Sequence, residues 1–278
     1  MKRGRLLKQN KYKNFQSILI IVFISLLLIS CIKIVRYMWD DNNTNKQLDV
    51  ISNAITIEEV EDNDKEIEII EQEKMIEKFN PYWDYIKMDL IDVDFDELKG
   101  INKDVKGWIQ VKGTNINYPF VQTDNNSYYL THSFDRSNNS SGWIFLDYRN
   151  KLSRNDRNTI LYGHGRVNQI MFGSLKNILT NGWLNNPSNY VVKLSTEYDN
   201  TLWQVFSVYR IPTTSDYIQT DFRSDEEYYS FLKMLLNRSS HNFNTEVTLE
   251  DRILTLSTCY NSAEKVVLHA KLIKRDTK

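Results

Sequence analysis

The chain has 278 residues, enough for one good-sized domain with attached segments, and 41% of them are hydrophobic and 26% charged, as in an ordinary globular protein. The formal net charge of −1 gives no indication of a nucleic-acid partner. The two cysteines, Cys31 in an apolar N-terminal segment and Cys259 near the C-terminus, exclude a disulfide framework and leave Cys259 as a lone thiol.

The N-terminus predicts a membrane anchor. Six Lys and Arg residues lie within residues 1–14, and an apolar run follows from Ile18 to Val35. This run has about the minimum length for crossing a bilayer. Because basic residues stay on the cytoplasmic side, we expect a cytoplasmic tail at 1–14, a single transmembrane signal anchor at 15–38, and an extracytoplasmic remainder.

Two other interpretations of the N-terminus stay open. A cleaved secretory signal would need a small-x-small site, and none closes the apolar run. The stretch from Leu28 to Cys31 resembles a bacterial lipoprotein cleavage box, but the run continues to Val35 instead of turning polar after the cysteine. An uncleaved anchor is therefore favoured over a lipidated Cys31, and either would tether the same domain to the outer face of a membrane.

Residues 39–80 are predicted to form an acidic linker that is partly helical. The segment Asp40–Lys46 has no apolar periodicity and is typical of a solvated linker. The Glu-rich stretch Glu58–Lys78 fits a charged helix or a disordered acidic stalk equally well, and Asn80-Pro81 should end any helix there. We therefore expect the folded domain at 81–278, with some helix around Met88–Leu98.

Short β-prone runs separated by turn residues dominate the rest of the chain and predict a closed or sandwiched all-β domain. They lie at Gly107–Val111, Ile116–Val121, Gly142–Leu146, Asn158–Tyr162, Tyr190–Leu194, Leu202–Arg210, Arg252–Cys259 and Lys265–Ile273.

Two helices interrupt these runs. A short one is expected within Ile170–Leu179. A longer one is predicted over Asp225–Arg238, where Ser224 and Glu227 form a capping box and an apolar stripe follows at helical spacing. That stripe is ordinary core packing and needs no ligand.

The lone thiol lies at the end of its strand and faces a turn, Tyr260–Glu264, from which the last strand returns. Position alone favours a buried small hydrophobic residue over a nucleophile. A reactive thiol needs a base or a cation nearby, because the thiolate is the nucleophile.

Four histidines could supply the base: His132, His164, His241 and His269. His164 ends the strand that begins near Thr159, and Gly163 and Gly165 flank it, so we expect an exposed and mobile imidazole that can transfer protons. A Cys259–His164 dyad is thus a candidate. No HxxxH, CxxC or clustered-carboxylate pattern indicates a metal site, and we expect neither a metal nor another cofactor.

Several motifs together resemble the sortases, the cysteine transpeptidases that attach proteins to Gram-positive cell walls. Thr255–Cys259 (TLSTC) resembles their active-site strand and Tyr162–His164 (YGH) their histidine motif. The resemblance is to class B specifically, runs in consistent order from about Leu98 to Lys274, and includes further stretches at Asn115–Pro119, Ile144–Asn150, Met171–Leu175 and Val267–Leu272.

The resemblance implies an eight-stranded β-barrel at 81–278, with short helices and one longer helix before the cysteine strand. It implies an enzyme whose cysteine attacks the threonine carbonyl of a C-terminal sorting signal and whose thioester is resolved by an amine of a peptidoglycan precursor or a pilin. Cys259 would be the nucleophile, and His164 the general acid and then the base. By similarity to class B grooves, the residues lining the peptide site would be Asn126, Leu130, Thr213, Tyr217, Ile218 and Ser257, although Leu130 and Ile218 could simply be core.

One residue departs from the family pattern. Sortases carry an arginine at the start of the strand after the cysteine, where it stabilises the oxyanion, and this chain has Lys265. Arg252 lies about 23 Å back along its strand and Arg275 toward the far end of the next one, so neither is expected to substitute. Arg149 and Arg210 could approach from other segments.

Lysine supplies a point charge without the planar fork of a guanidinium. Two hypotheses follow: a working class B-like sortase that uses Lys265 as a catalytic cation, and a degenerate sortase-fold protein that binds sorting signals with little or no turnover.

Overall fold

The computed structural model describes residues 2–60, 68–69, 82–154 and 156–278. Residues 1–46 and 47–278 form two compact units, which are described separately. The elements in chain order are α1 (Lys2–Asn53), β1 (Ile57–Val60), β2 (Glu68–Ile69), α2 (Tyr82–Tyr85), β3 (Leu90–Val93), α3 (Asp96–Ile101), β4 (Val105–Val111), β5 (Asn117–Val121), β6 (Phe145–Leu146), β7 (Asn158–Tyr162), α4 (Asn181–Leu184), β8 (Val191–Thr196), β9 (Asp199–Pro212), α5 (Asp225–Arg238), β10 (Ile253–Cys259) and β11 (Glu264–Thr277). Short 3-10 turns lie at Tyr128–Leu130, Leu152–Arg154, Gly173–Leu179 and Pro187–Asn189.

Helix α1 contains the apolar run, and its part from Phe15 onward is long and apolar enough to cross a membrane by length and composition. The helix does not end at the predicted linker but continues through residues 40–46 to Asn53. No Pro or Gly interrupts its backbone hydrogen bonds there, and Thr44 satisfies its hydroxyl on the carbonyl of Asp40 at 2.9 Å.

Eight strands close into a mixed barrel, which confirms the fold class predicted from the sequence. Their order is β10-β7-β6-β5-β4-β8-β9-β11, and the pairing of β11 with β10 closes the ring. The pairs β5–β6 and β7–β10 are parallel and the others antiparallel. The short β2 adds to the outer edge of β11, and β1 and β3 form a separate two-stranded sheet.

Three sequence expectations near the N-terminal side of the barrel differ from the structure. The helix expected around Met88–Leu98 begins only at Asp96, as α3, because Leu90–Val93 pairs with β1 as β3. For Glu58–Lys78 a charged helix and a disordered stalk were both open, and the described residues of that stretch are strands. The rest of the stretch, and the predicted helix stop at Asn80-Pro81, lie outside the described residues. Of the run Gly142–Leu146, two residues pair as β6.

Helix α5 has the predicted bounds. The Ser224 hydroxyl accepts a hydrogen bond from the Glu227 amide at 3.2 Å, as expected of a capping box, while the Glu227 carboxylate accepts from the Arg223 amide at 2.7 Å. The apolar stripe of α5 is buried against the outer faces of β9, β10 and β11 in a second hydrophobic cluster beside the barrel core: Tyr228, Phe231, Leu232 and Leu235. This packing fixes the segment before α5, which reaches the end of the barrel where β7 and β10 finish.

Candidate active site

The two candidate catalytic side chains leave the barrel at the same end. Strands β7 and β10 run parallel with Tyr162 opposite Ser257, and the Gly163 amide donates to the Ser257 carbonyl at 3.3 Å. His164 and Cys259 each lie two residues beyond that pair. The sequence-predicted dyad is therefore brought to one edge by strand register.

A cation contacts the thiol directly. Cys259 and Lys265 are opposite each other in the β10–β11 hairpin, and the Lys265 Nζ lies 3.0 Å from the Cys259 Sγ. Both side chains are partly exposed. An ammonium at this distance donates to the sulfur and can also reach an oxyanion formed on a carbon bonded to the sulfur.

The imidazole of His164 is oriented by the chain. Its Nε2 lies 2.7 Å from the carbonyl oxygen of Leu130. Because a carbonyl only accepts, Nε2 carries a proton in this contact, and Nδ1 is the nitrogen that can change protonation while the ring stays in place.

The glycines beside His164 serve close packing, which corrects the expectation that they keep the ring exposed and mobile. A β-carbon at Gly165 would lie 2.0 Å from the carbonyl oxygen of Cys259, and one at Gly163 would lie 2.7 Å from the ring of Phe172. His164 itself is partly buried. The glycines let the histidine segment lie directly against the end of the cysteine strand.

The six predicted groove residues lie on segments around this edge, but their side chains differ in availability. Leu130 and Thr213 are exposed, so Leu130 is not a core residue. Tyr217 and Ser257 are buried and hydrogen-bond to each other at 2.9 Å. Ile218 is partly buried against the α5 cluster.

Thr213 belongs to the segment that faces the loop after the cysteine strand. Its amide and hydroxyl both donate to the Ala263 carbonyl, at 2.9 and 3.1 Å. Asn126, on another loop, is partly buried and donates from Nδ2 to Asp147 at 2.9 Å. The polar groups of these predicted peptide-site residues thus largely hydrogen-bond to other parts of the protein.

The arginines that could have replaced the family's arginine are engaged elsewhere. Arg149 makes a bidentate pair with Asp147, with Nε and Nη2 at 2.9 and 2.8 Å from its two oxygens. Arg210 pairs with Glu264 at 3.1 Å and lies over the ring of Tyr260 at 4.6 Å. Lys265 is accordingly the cation that contacts the thiol.

The sequence analysis assigned no role to two buried polar groups near the site. His269 on β11 is fully buried, with Nε2 2.9 Å from the Tyr209 hydroxyl and Nδ1 2.9 Å from the Thr255 hydroxyl, and burial together with the charge of Arg238 lowers the pKa of its imidazole to about 3. Asp147 is fully buried directly after β6, and a charged residue at the end of an apolar strand was the signal that could have revealed it.

Among the described residues, no group of three or more His, Cys, Asp or Glu side chains is placed to hold a metal ion. The chemistry that the site supports is that of a thiol in contact with an ammonium, at the strand edge that also carries an oriented imidazole. A closed mixed barrel carrying these groups at one edge defines a cysteine enzyme suited to acyl transfer.

Comparison with known proteins identifies the family. The family model described as "Sortase domain" matches residues 109–273. Sortase B of Staphylococcus aureus is 39% identical over 184 residues, covering 65% of this chain and 75% of the relative. A crystal structure of sortase B complexed with triglycine matches with a TM-score of 0.61 at 38% identity over 65% of this chain and 85% of that one.

The Staphylococcus aureus sortase B–substrate complex matches equally, with a TM-score of 0.61 at 38% identity over 65% of this chain and 84% of that one. The chain belongs to the sortase family, and its similarity is to class B. It is therefore a cysteine transpeptidase.

Proposed function

We propose that this transpeptidase cleaves a C-terminal sorting signal after threonine, with Cys259 as nucleophile, and transfers the protein to an amine outside the membrane. The observation that carries the proposal is the 3.0 Å contact between the Lys265 Nζ and the Cys259 Sγ, made at the strand edge that also ends in His164. A cation in contact with the sulfur is placed to stabilise an oxyanion formed beside it, whereas a structural cysteine needs no such partner.

The proposed reaction has two halves. The Cys259 thiolate attacks the threonine carbonyl carbon, the C–S bond forms, and Lys265 stabilises the oxyanion. As the C–N bond breaks, His164 gives its proton to the leaving amine, which leaves a thioester. The incoming amine then loses a proton to His164 and attacks the thioester, the new amide forms, and the Cys259 sulfur departs.

The peptide would bind along the loops that surround this edge. Leu130 and Thr213 offer exposed contacts, and Ile218 offers a partly buried apolar one. Asn126, Tyr217 and Ser257 would line the groove while their polar groups hold its walls. The substrate held by the staphylococcal sortase B complex supports a peptide site of this kind.

The donor and acceptor lie outside the membrane in this proposal. The tail at 1–14 would be cytoplasmic, the anchor at 15–38 would cross the bilayer, and the segment 39–80 would connect it to the catalytic domain at 81–278. Surface proteins with a sorting signal would be the donors. A peptidoglycan precursor or a pilin lysine would supply the amine, and the sortase B structure with triglycine is consistent with an amine acceptor.

The alternative is a degenerate sortase that binds sorting signals with little or no turnover. It is favoured by one observation, the lysine that replaces the family's arginine. An ammonium donates without a guanidinium's fixed fork, and loss of one oxyanion donor typically slows turnover by about 100- to 1000-fold.

The test is cleavage of a panel of quenched sorting-signal peptides by the extracytoplasmic domain and by the full-length protein in detergent. The wild type should cleave at least one peptide after threonine, and Cys259→Ala and His164→Ala should not. No cleavage by the wild type, or unchanged cleavage by Cys259→Ala, contradicts the proposed function.

A Lys265→Arg variant separates the two hypotheses, with Lys233→Arg on the exposed face of α5 as the matched control. A working enzyme should have measurable turnover with Lys265 and lose it in Lys265→Met. An inert wild type that becomes active only in Lys265→Arg establishes the degenerate alternative.

A further inference from the structure

Asp147 connects several parts of the groove through one buried carboxylate. It lies directly after β6, is 0% exposed, and accepts hydrogen bonds from Arg149 Nε at 2.9 Å, Arg149 Nη2 at 2.8 Å, Tyr162 Oη at 2.9 Å and Asn126 Nδ2 at 2.9 Å. Burial by itself raises the pKa of this carboxyl, but the hydrogen bonds from Arg149, Tyr162 and Asn126 outweigh it and lower the pKa below its ordinary value. Asp147 is therefore an anion with its acceptor sites filled.

The first connection sets the orientation of Asn126. Its Nδ2 faces Asp147, and its Oδ1 accepts from the Tyr148 amide at 3.0 Å. Because a carboxylate only accepts and an amide N–H only donates, the Asn126 side chain has one allowed orientation. A single Nδ2 hydrogen is left over, so Asp147 decides which group this loop can offer to a peptide.

The second connection reaches the segment before α5 through Arg149. The Nη2 that donates to Asp147 also donates to the Ile218 carbonyl at 2.9 Å. A second hydrogen bond holds the same segment at the next residue, where Asn158 Nδ2 on β7 donates to the Gln219 carbonyl at 2.9 Å. The carboxylate thus holds Arg149 in the rotamer that fixes this side of the groove.

The third connection reaches the histidine strand. Tyr162 is opposite Ser257 and lies two residues before His164, and burial followed by the charge of Asp147 raises the pKa of its phenol. Its hydroxyl is therefore a permanent donor to Asp147. One carboxylate thereby relates the Asn126 loop, the Ile218 segment and the end of β7 to each other.

We infer that Asp147 is a positioning residue that sets the separation of the groove walls and so determines peptide binding, not the chemistry at Cys259. The inference rests on the proposed function, because a groove wall matters only if a peptide binds there. Its carboxylate binds Asn126, Arg149 and Tyr162. The contact between the thiol and its lysine, and the contact of His164 with Leu130, do not involve it.

The test compares Asp147→Asn with Asp251→Asn. Asp251 is a matched control because its carboxylate is also buried and ion-paired, with Lys271 at 3.4 Å, yet it lies beside the end of β10 that is far from Cys259. The amide in Asp147→Asn is neutral and places a donor against other donors. We expect KM for the cleaved peptide to rise about tenfold or more. The free-energy cost of leaving a buried polar group without a hydrogen bond corresponds to about this factor in a binding constant.

Two readouts distinguish positioning from general destabilisation. The first readout is hydrogen exchange, which should accelerate in residues 124–131 and 213–221 of Asp147→Asn and stay unchanged in the barrel strands. The second is the chemistry at Cys259: kcat and the rate of alkylation of this thiol by iodoacetamide should stay within about twofold of wild type. Asp251→Asn should leave KM and both loops unchanged. An unchanged KM, or exchange that rises evenly through the barrel, overturns the inference.

The exchange experiment needs no substrate, so it decides the inference even if the wild type cleaves no peptide, which would count against the proposed function alone. If Asp147→Asn does not fold, Arg149→Gln replaces it, because that variant keeps Asp147 and removes the bond to Ile218. Exchange should then accelerate in 213–221 and not in 124–131. Equal protection of 213–221 in Arg149→Gln and wild type overturns the inference.

Discussion

Replacing Gly165 by alanine tests whether the histidine and cysteine segments must touch. In the structure a β-carbon at this position would lie 2.0 Å from the Cys259 carbonyl oxygen and 3.0 Å from the Thr258 hydroxyl. Real β-carbons essentially never come within 3.0 Å of a heavy atom to which they are not bonded. The backbone at residue 165 or the backbone at Cys259 must therefore move by about 1 Å. The nearer obstacle is backbone, which cannot rotate away as a side chain could.

That movement falls on the residues that carry the chemistry. The Cys259 carbonyl is attached to the same α-carbon as the nucleophile, and Gly165 is bonded to His164. A misplacement of about 1 Å in a catalytic arrangement costs about 100-fold in rate. We therefore expect kcat/KM for the cleaved peptide to fall by about two orders of magnitude in Gly165→Ala while the barrel stays folded.

The assay is peptide cleavage beside circular dichroism and urea unfolding. Gly182→Ala is the matched control, because a β-carbon there meets nothing within 4 Å and alanine suits helix α4 better than glycine does. The control should keep full activity. A folded Gly165→Ala protein with activity within about threefold of wild type would refute the argument from close packing.

Three further predictions concern stability. The folded-state pKa of His269, about 3, lies below its unfolded value of about 6.5, so its contribution to the free energy of unfolding is fully present above pH 6.5 and falls by about 1.4 kcal/mol per pH unit as pH drops toward 3. Between pH 7.5 and 5.0, urea unfolding should show that the wild type loses about 2 kcal/mol more of this free energy than His269→Gln does. Equal losses in the two proteins would contradict this prediction. Tyr217→Phe should lower the free energy of unfolding by about 1–2 kcal/mol, because it leaves the buried Ser257 hydroxyl unpaired. A double-mutant cycle with Ser257→Ala measures the coupling between the two residues, and a coupling energy of zero would count against this hydrogen bond. Ser224→Ala should lower the free energy of unfolding by about 1 kcal/mol, because it removes the N-cap of α5, and it should leave kcat unchanged. A variant as stable as the wild type would show that the cap does not contribute to stability.

The site combines a thiol in contact with a lysine and loops whose polar groups already hydrogen-bond within the protein. Tyr217 and Ser257 satisfy each other, Asn126 is held by Asp147, and Thr213 is held by Ala263. Under the proposed function, recognition of a peptide at this edge depends on its shape and on the few groups left exposed, such as Leu130. This is why the positioning of the walls should appear in KM.

Local patterns determined the elements that depend on neighbouring residues. The bounds of α5 follow from its cap and its 3.6-residue apolar period, and β7 follows from a short apolar run between polar segments. The strand that carries Cys259 was predicted within one residue, and the family motifs named Cys259, His164 and Lys265 together. Each of these signals lies within a few residues of the feature it predicts.

Tertiary structure alone decided how distant segments meet. Helix α1 continues past the predicted linker because nothing in that stretch breaks its hydrogen bonds, and Leu90–Val93 forms a strand because β1 pairs with it. The parallel register of β7 on β10 places Gly165 against Cys259, and no local pattern specifies a register between strands about 90 residues apart.

The lysine that contacts the thiol illustrates both the local sequence pattern and the tertiary structure. The sequence placed Lys265 six residues after Cys259 and left Arg149 and Arg210 open as substitutes. The fold binds those two arginines to Asp147 and Glu264 and leaves Lys265 at 3.0 Å from the sulfur. Sequence identifies residue types and short-range geometry, whereas the partners of a long charged side chain depend on which carboxylates the closed barrel brings beside it.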